Sequence, residues 1–126
     1  MSILIVDDSA DDRLLLQSIL STAGYEDIIA VDSAASAFKC LGLDGGKQSG
    51  ARVDLILMDI LMPHTSGIEA CRQIKAVDRF RDTPIIMVTV KTGPVDLQLA
   101  FAAGAMDYVA KPVNKIELLT RVRSVL

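Results

Sequence analysis

The sequence predicts an α/β domain: a five-stranded parallel sheet, strand order 2-1-3-4-5, doubly wound with five helices. Three observations lead there. Five short apolar runs are spaced along the 126 residues, and amphipathic stretches with helix punctuation separate them. Three of the runs are almost unbroken Ile, Leu, Val or Met, as in strands buried on both faces. Strands that alternate with helices imply parallel pairing, with helices on both faces of the sheet.

The elements follow in order. The first strand is Ser2–Val6. Ser9 can cap the first helix, whose face is Leu16, Ile19, Leu20 and Ala23, and Gly24 stops it. Ile28–Val31 is the second strand, and Ser33 opens a shorter helix that ends near Leu41-Gly42. Gly42–Arg52, rich in Gly, Lys, Gln and Ser, reads as a surface connection. The third strand is Val53–Met58; Ser66 or Thr65 opens the third helix, with Ala70, Cys71, Ile74 and Val77 on one face. The fourth strand, Ile85–Thr89, leads to Gly93-Pro94, a proline where a first helical turn tolerates it. Leu97, Ala100 and Phe101 then face the core before Gly104. Met106–Ala110 is the fifth strand, and Asn114 caps a last helix facing inward through Leu118, Leu119, Val122, Val125 and Leu126. That helix stays apolar to its end, which suggests that residues 1–126 form the N-terminal part of a longer protein.

Composition narrows the function classes. Hydrophobic residues make up 51% of the chain, enough for one ordinary core. Lys plus Arg is 13 and Asp plus Glu is 16, a net charge of -3, which disfavours direct nucleic acid binding. No apolar run approaches the roughly 18 residues of a membrane helix, and Asp7-Asp8 interrupts the N-terminal run too early for a signal peptide. Cys40 and Cys71 lack metal-ligand spacing and read as reduced, buried residues of a cytoplasmic protein.

In an open parallel sheet, ligands sit beyond the carboxyl ends of the strands, where the strand order reverses. Strands one and three are neighbours at that point, so Asp7, Asp8 and Asp59 converge there, with Thr89 and Lys111 at the ends of strands four and five. Three carboxylates in one pocket repel unless a charge offsets them. Mg²⁺ does so with hard oxygen ligands, leaving positions for water or phosphate oxygens. Carboxylates, a divalent cation, a lysine and a hydroxyl together suit a phosphoryl group, and an aspartate can itself form an acyl phosphate. Each residue alone has a plainer reading, such as a helix cap or a turn. The set at one sheet edge does not.

The sequence resembles the receiver domain of two-component response regulators over essentially its whole length. The resemblance rests on Ile5-Val6-Asp7-Asp8-Ser9; on Leu57-Met58-Asp59-Ile60-Leu61-Met62-Pro63 followed by Gly67; on Val88-Thr89; and on Asp107-Tyr108-Val109-Ala110-Lys111-Pro112. It implies a flavodoxin-like fold and two-component signal transduction. Asp59 would be the phosphoacceptor, taking its phosphoryl group from a histidine kinase or a histidine phosphotransfer protein. Asp8, Asp59 and the backbone carbonyl of Leu61 would coordinate Mg²⁺, with Asp7 acting through a water. Thr89 would be the switch hydroxyl, Tyr108 the switch aromatic and Lys111 the partner of a phosphoryl oxygen. The Lys111-Pro112 bond is the cis-peptide candidate. An attached or separate output domain would read the switch, a homodimer could form on phosphorylation, and no membrane or direct nucleic acid partner is expected.

Some positions depart from the family pattern. Val90 stands where a small residue is common and is expected to crowd the approach to Asp59. Leu61 and Lys91 occupy the two variable flanking positions, Val113 replaces a frequent Phe, and Gly93-Pro94 restrains the fourth helix. His64 reads as an exposed loop residue, and Asp11 and Asp12 as carboxylates that stabilise the N-terminus of the first helix and deepen the pocket's negative field without binding metal. Three other functions fit less well. An aspartyl phosphatase lacks a general acid at Ile60 and Leu61 and a cap. A flavin carrier lacks a Ser/Thr/Gly-rich loop and aromatics. A constitutive binding module would not need both Asp59 and Lys111. The expectation is a phosphoacceptor switch and not a turnover enzyme.

Overall fold

The computed structural model describes residues 1–43 and 52–126. Among them are five strands and five α-helices in strict alternation: β1 Ser2–Val6, α1 Ala10–Thr22, β2 Asp27–Val31, α2 Ala34–Leu41, β3 Leu55–Met58, α3 Gly67–Lys75, β4 Ile85–Thr89, α4 Pro94–Ala102, β5 Asp107–Ala110 and α5 Lys115–Val125. All strand pairs are parallel, in the order β2-β1-β3-β4-β5, as expected. The surface connection expected over Gly42–Arg52 lies for the most part outside the described residues. No helix among those described is long and apolar enough to cross a membrane.

Burial explains the three unbroken runs. Every residue of β1, β3 and β4 is buried, because helices cover both faces of the central sheet. One face carries Leu4, Val6, Ile56, Met58, Ile85 and Met87 against α2, α3 and α4. The other carries Ile3, Ile5, Leu55, Leu57, Ile86 and Val88 against α1 and α5. Strands β2 and β5 are edges and only partly buried.

The capping residues act as their chemistry suggests. The side chains of Ser9, Ser33, Ser66 and Asn114 each accept a backbone N–H from the first turn of their helix. Gly93 precedes Pro94 at the first position of α4. Gly42 ends α2 in the left-handed conformation, φ 76°.

Five boundaries or faces differ from the sequence reading, the first being strand β2, which begins at Asp27 and not at Ile28. Strand β3 begins at Leu55, because Asp54 turns its N–H to Ser2 O at 2.8 Å and its carboxylate to the Ser2 N–H. Strand β5 begins at Asp107, and Met106 is exposed. The helix α3 stops at Lys75, so Val77 belongs to a connection containing a 3₁₀ turn, Asp78–Phe80, which buries Phe80. Lys75 clamps that connection, its ammonium donating to the carbonyls of Phe80, Arg81 and Thr83. Finally, α4 buries only Ala100 fully; Leu97 is half-buried and Phe101 is 44% exposed.

Candidate functional site

The site is a consequence of strand register. Ile5 pairs with Leu57 and Val6 with Met58, so the chains leave β1 and β3 side by side. Asp59 N–H donates to Val6 O at 2.9 Å, and Asp7 N–H to Val31 O at 3.1 Å. These two bonds extend the ladder by one residue and fix both aspartates at the carboxyl edge. Asp8 follows on the turn into α1 and is exposed. One oxygen from each of Asp7, Asp8 and Asp59 can be chosen so that all three lie within 4.8 Å of one another.

Strand β5 delivers the cation. Thr89 pairs with Ala110, and Lys111 N–H donates to Thr89 O at 2.9 Å. The Lys111-Pro112 peptide is cis. From there Lys111 Nζ donates to Asp7 Oδ2 at 2.8 Å, Asp12 Oδ2 at 2.9 Å and Asp59 Oδ2 at 3.0 Å. Its side chain is only 11% exposed. Burial alone would lower the Lys111 pKa, but the bonds to Asp7, Asp12 and Asp59 outweigh it and hold the pKa above the ordinary 10.5. Burial raises the Asp7 pKa above 3.8, and the Asp59 charge adds to this. The Lys111 and Ser9 hydrogen bonds offset only part of the rise.

Thr89 is fully buried at the end of β4, its hydroxyl oxygen accepting the Lys91 N–H at 3.0 Å. Tyr108 is half-buried on β5 and meets Phe101 edge to face, ring centroids 6.2 Å apart. Val90, Lys91 and Leu61 are exposed around the rim. The Leu61 N–H donates to Asp59 Oδ1 at 3.2 Å, which ties the loop after β3 to the carboxylate.

Gly67 closes the same loop, its N–H donating to Ile60 O at 2.9 Å. A Cβ at this position would stand 2.0 Å from Asp59 O and 2.9 Å from Ile60 Cα, so no other residue fits without moving the backbone of Asp59. His64, at the exposed turn of this loop, has φ 71° and points to no role in the site.

Two contacts of the site were not read from the sequence. Asp12, assigned there to the helix N-terminus, also pairs with Lys111. Arg13 donates to the Asp7 carbonyl at 2.7 Å and braces the turn. The available signal was spacing: Asp12 lies four residues beyond Asp8, one helical turn above the same sheet edge.

The donor set suits Mg²⁺. Three hard carboxylates converge, no thiolate or imidazole is among them, and an ammonium already bonds two of them.

Comparison with known proteins agrees with the geometry. The sequence pattern of the response regulator receiver domain matches residues 3–123. The chain is 40% identical over 124 residues to the transcriptional regulatory protein ResD of Bacillus subtilis (strain 168). That match covers 98% of this chain and 47% of ResD, so the chain spans about half the length of this relative. The structure of the chemotaxis protein CheY4 of Vibrio cholerae superposes with a TM-score of 0.87 at 31% identity, over 99% of this chain and 98% of that one. The receiver domain of sensor histidine kinase PA1611 from Pseudomonas aeruginosa PAO1, solved with magnesium in its active-site cleft, gives a TM-score of 0.84 at 29% identity, over 98% and 95% of the two chains.

Proposed function

This chain belongs to the response regulator receiver domain family of two-component systems, and we propose that Asp59 accepts a phosphoryl group from a histidine kinase or a histidine phosphotransfer protein. The observation that carries the proposal is the Asp59 carboxylate, held by Lys111 Nζ at 3.0 Å and the Leu61 N–H at 3.2 Å beside two further aspartates. An Asp59 carboxylate oxygen forms the new P–O bond as the N–P bond to the donor imidazole breaks, and the imidazole leaves with its electron pair. Lys111 neutralises charge on the transferring oxygens, and its raised pKa keeps it protonated throughout.

Asp8, Asp59 and the Leu61 carbonyl would hold Mg²⁺, with Asp7 reaching it through water. When bound, Mg²⁺ would offset carboxylate repulsion and polarise the phosphoryl oxygens.

The switch would run from Thr89 to Tyr108. The Thr89 hydroxyl leaves Lys91 N–H and donates to a phosphoryl oxygen, and Tyr108 turns inward as the space around β4 changes. The Tyr108–Phe101 contact is the packing this motion would break. The readers would be an output domain, a separate partner or a second copy of the chain. The chemistry is a single acceptance and release in the cytoplasm, not turnover of a small substrate.

Intact-protein mass after incubation with Mg²⁺ and acetyl phosphate tests the reading. One phosphoryl adduct is expected, absent with EDTA and absent in Asp59→Asn. An Asp59→Asn protein labelled as fully as the wild type would end the proposal.

A further inference from the structure

We infer that Asp12 is a positioning residue for Lys111, giving the ammonium a seat outside the Asp7–Asp8–Asp59 trio. The inference rests on the proposed cation site and concerns how that site and Lys111 share the carboxylates of Asp7 and Asp59.

Lys111 Nζ has three carboxylate partners, and two of them, Asp7 and Asp59, belong to the trio that would hold the cation. Asp12 does not. It stands in the first turn of α1, where its N–H donates to Ser9 Oγ, so its carboxylate comes from a fixed piece of helix. Its side chain is 37% exposed against 1% for Asp7, so its carboxylate keeps part of its contact with water. A cation entering between Asp7, Asp8 and Asp59 would repel the ammonium and compete with it for the Asp7 and Asp59 carboxylates. A lysine left in a nearly closed pocket without a partner is expensive, which opposes the cation. With Asp12 as its remaining partner, Lys111 yields Asp7 and Asp59 and stays close enough to meet a phosphoryl oxygen on Asp59.

Without the Asp12 carboxylate, the ammonium holds Asp7 and Asp59 against the incoming cation. Isothermal titration with MgCl₂ at fixed ionic strength reads this directly. Asp12→Asn should weaken Mg²⁺ binding by about five- to tenfold. Asp11→Asn removes an equal charge from the same turn and should change it by less than about twofold. In a Lys111→Met background, Asp12→Asn should cost no more than Asp11→Asn does, because the residue it positions is gone. Circular dichroism in EDTA establishes that each variant is folded.

No loss in Asp12→Asn, or an equal loss with and without Lys111, overturns the inference while leaving the phosphoacceptor reading in place. A wild-type chain that binds no Mg²⁺ overturns the cation site and this inference together. Labelling of Asp59→Asn, measured separately, is the failure that belongs to the phosphoacceptor reading alone.

Discussion

Gly67→Ala is the sharpest test of how the fold positions the site. The added methyl would lie 2.0 Å from Asp59 O, 2.8 Å from Asp59 C and 2.9 Å from Ile60 Cα. Ordinary contact needs 3.4 Å, so the two backbones must separate by 3.4 − 2.0 = 1.4 Å. All three neighbours are main-chain atoms, and no side chain can swing away. Overpacking costs about 1–3 kcal/mol where side chains relax, and a clash confined to backbone belongs at about 3 kcal/mol or above. With a urea slope of roughly 2 kcal/mol/M, the midpoint should fall by about 1.5 M at unchanged slope. Gly24→Ala is the control. It has nothing within 4 Å but sits at φ +98°, so it should cost only its conformational strain, about 1–2 kcal/mol. The site should suffer beyond stability, because the displaced atoms are those of Asp59 itself. Labelling by acetyl phosphate should slow by about 10²-fold under conditions where the variant is folded. A Gly67→Ala protein that melts within about 0.3 M urea of the wild type and labels at the same rate would refute the reasoning.

Two further outcomes are expected. Phe80→Ala should destabilise by about 3–5 kcal/mol in urea melts, since the ring is buried in the α2–α3–α4 face of the core beneath the 3₁₀ turn; a loss under about 1 kcal/mol would mean the connection does not seal that face. Lys111→Met in EDTA should cost about 2–3 kcal/mol at pH 7, less than a fully buried pair because Asp12 is partly exposed. The pH dependence follows from the signs. The Lys111 pKa is raised above 10.5, so its contribution is constant at neutral pH and lost only as pH climbs through that raised value. The Asp7 pKa is raised above 3.8, so the folded state gains as pH falls through it, and removing Lys111 raises it further. The deficit of Lys111→Met should therefore shrink between pH 7 and pH 4, and a deficit that stays constant there would contradict this account.

Much of the fold was legible because its signals are local. The unbroken runs of β1, β3 and β4 follow from burial on two faces, and Ser9, Ser33, Ser66 and Asn114 cap by contacts within three residues. The misreadings arose where burial depends on a neighbour. Helical spacing put Leu97, Ala100 and Phe101 on one inward face, yet α4 lies at the sheet margin and only Ala100 reaches the core. Phe80 sits in a three-residue turn too short for any period to register.

By itself the sequence determined the alternation of strands and helices, the stop of strands one and three at aspartates, and so the residue types gathered at one edge. Tertiary structure alone decided the rest. Lys111 meets Asp12 across 99 positions of chain, and no periodicity encodes a pairing made by docking β5 and α1 onto opposite parts of one sheet. The absence of a side chain at Gly67 is likewise visible in the sequence, but its reason is the carbonyl of Asp59, which only the packed loop brings within reach.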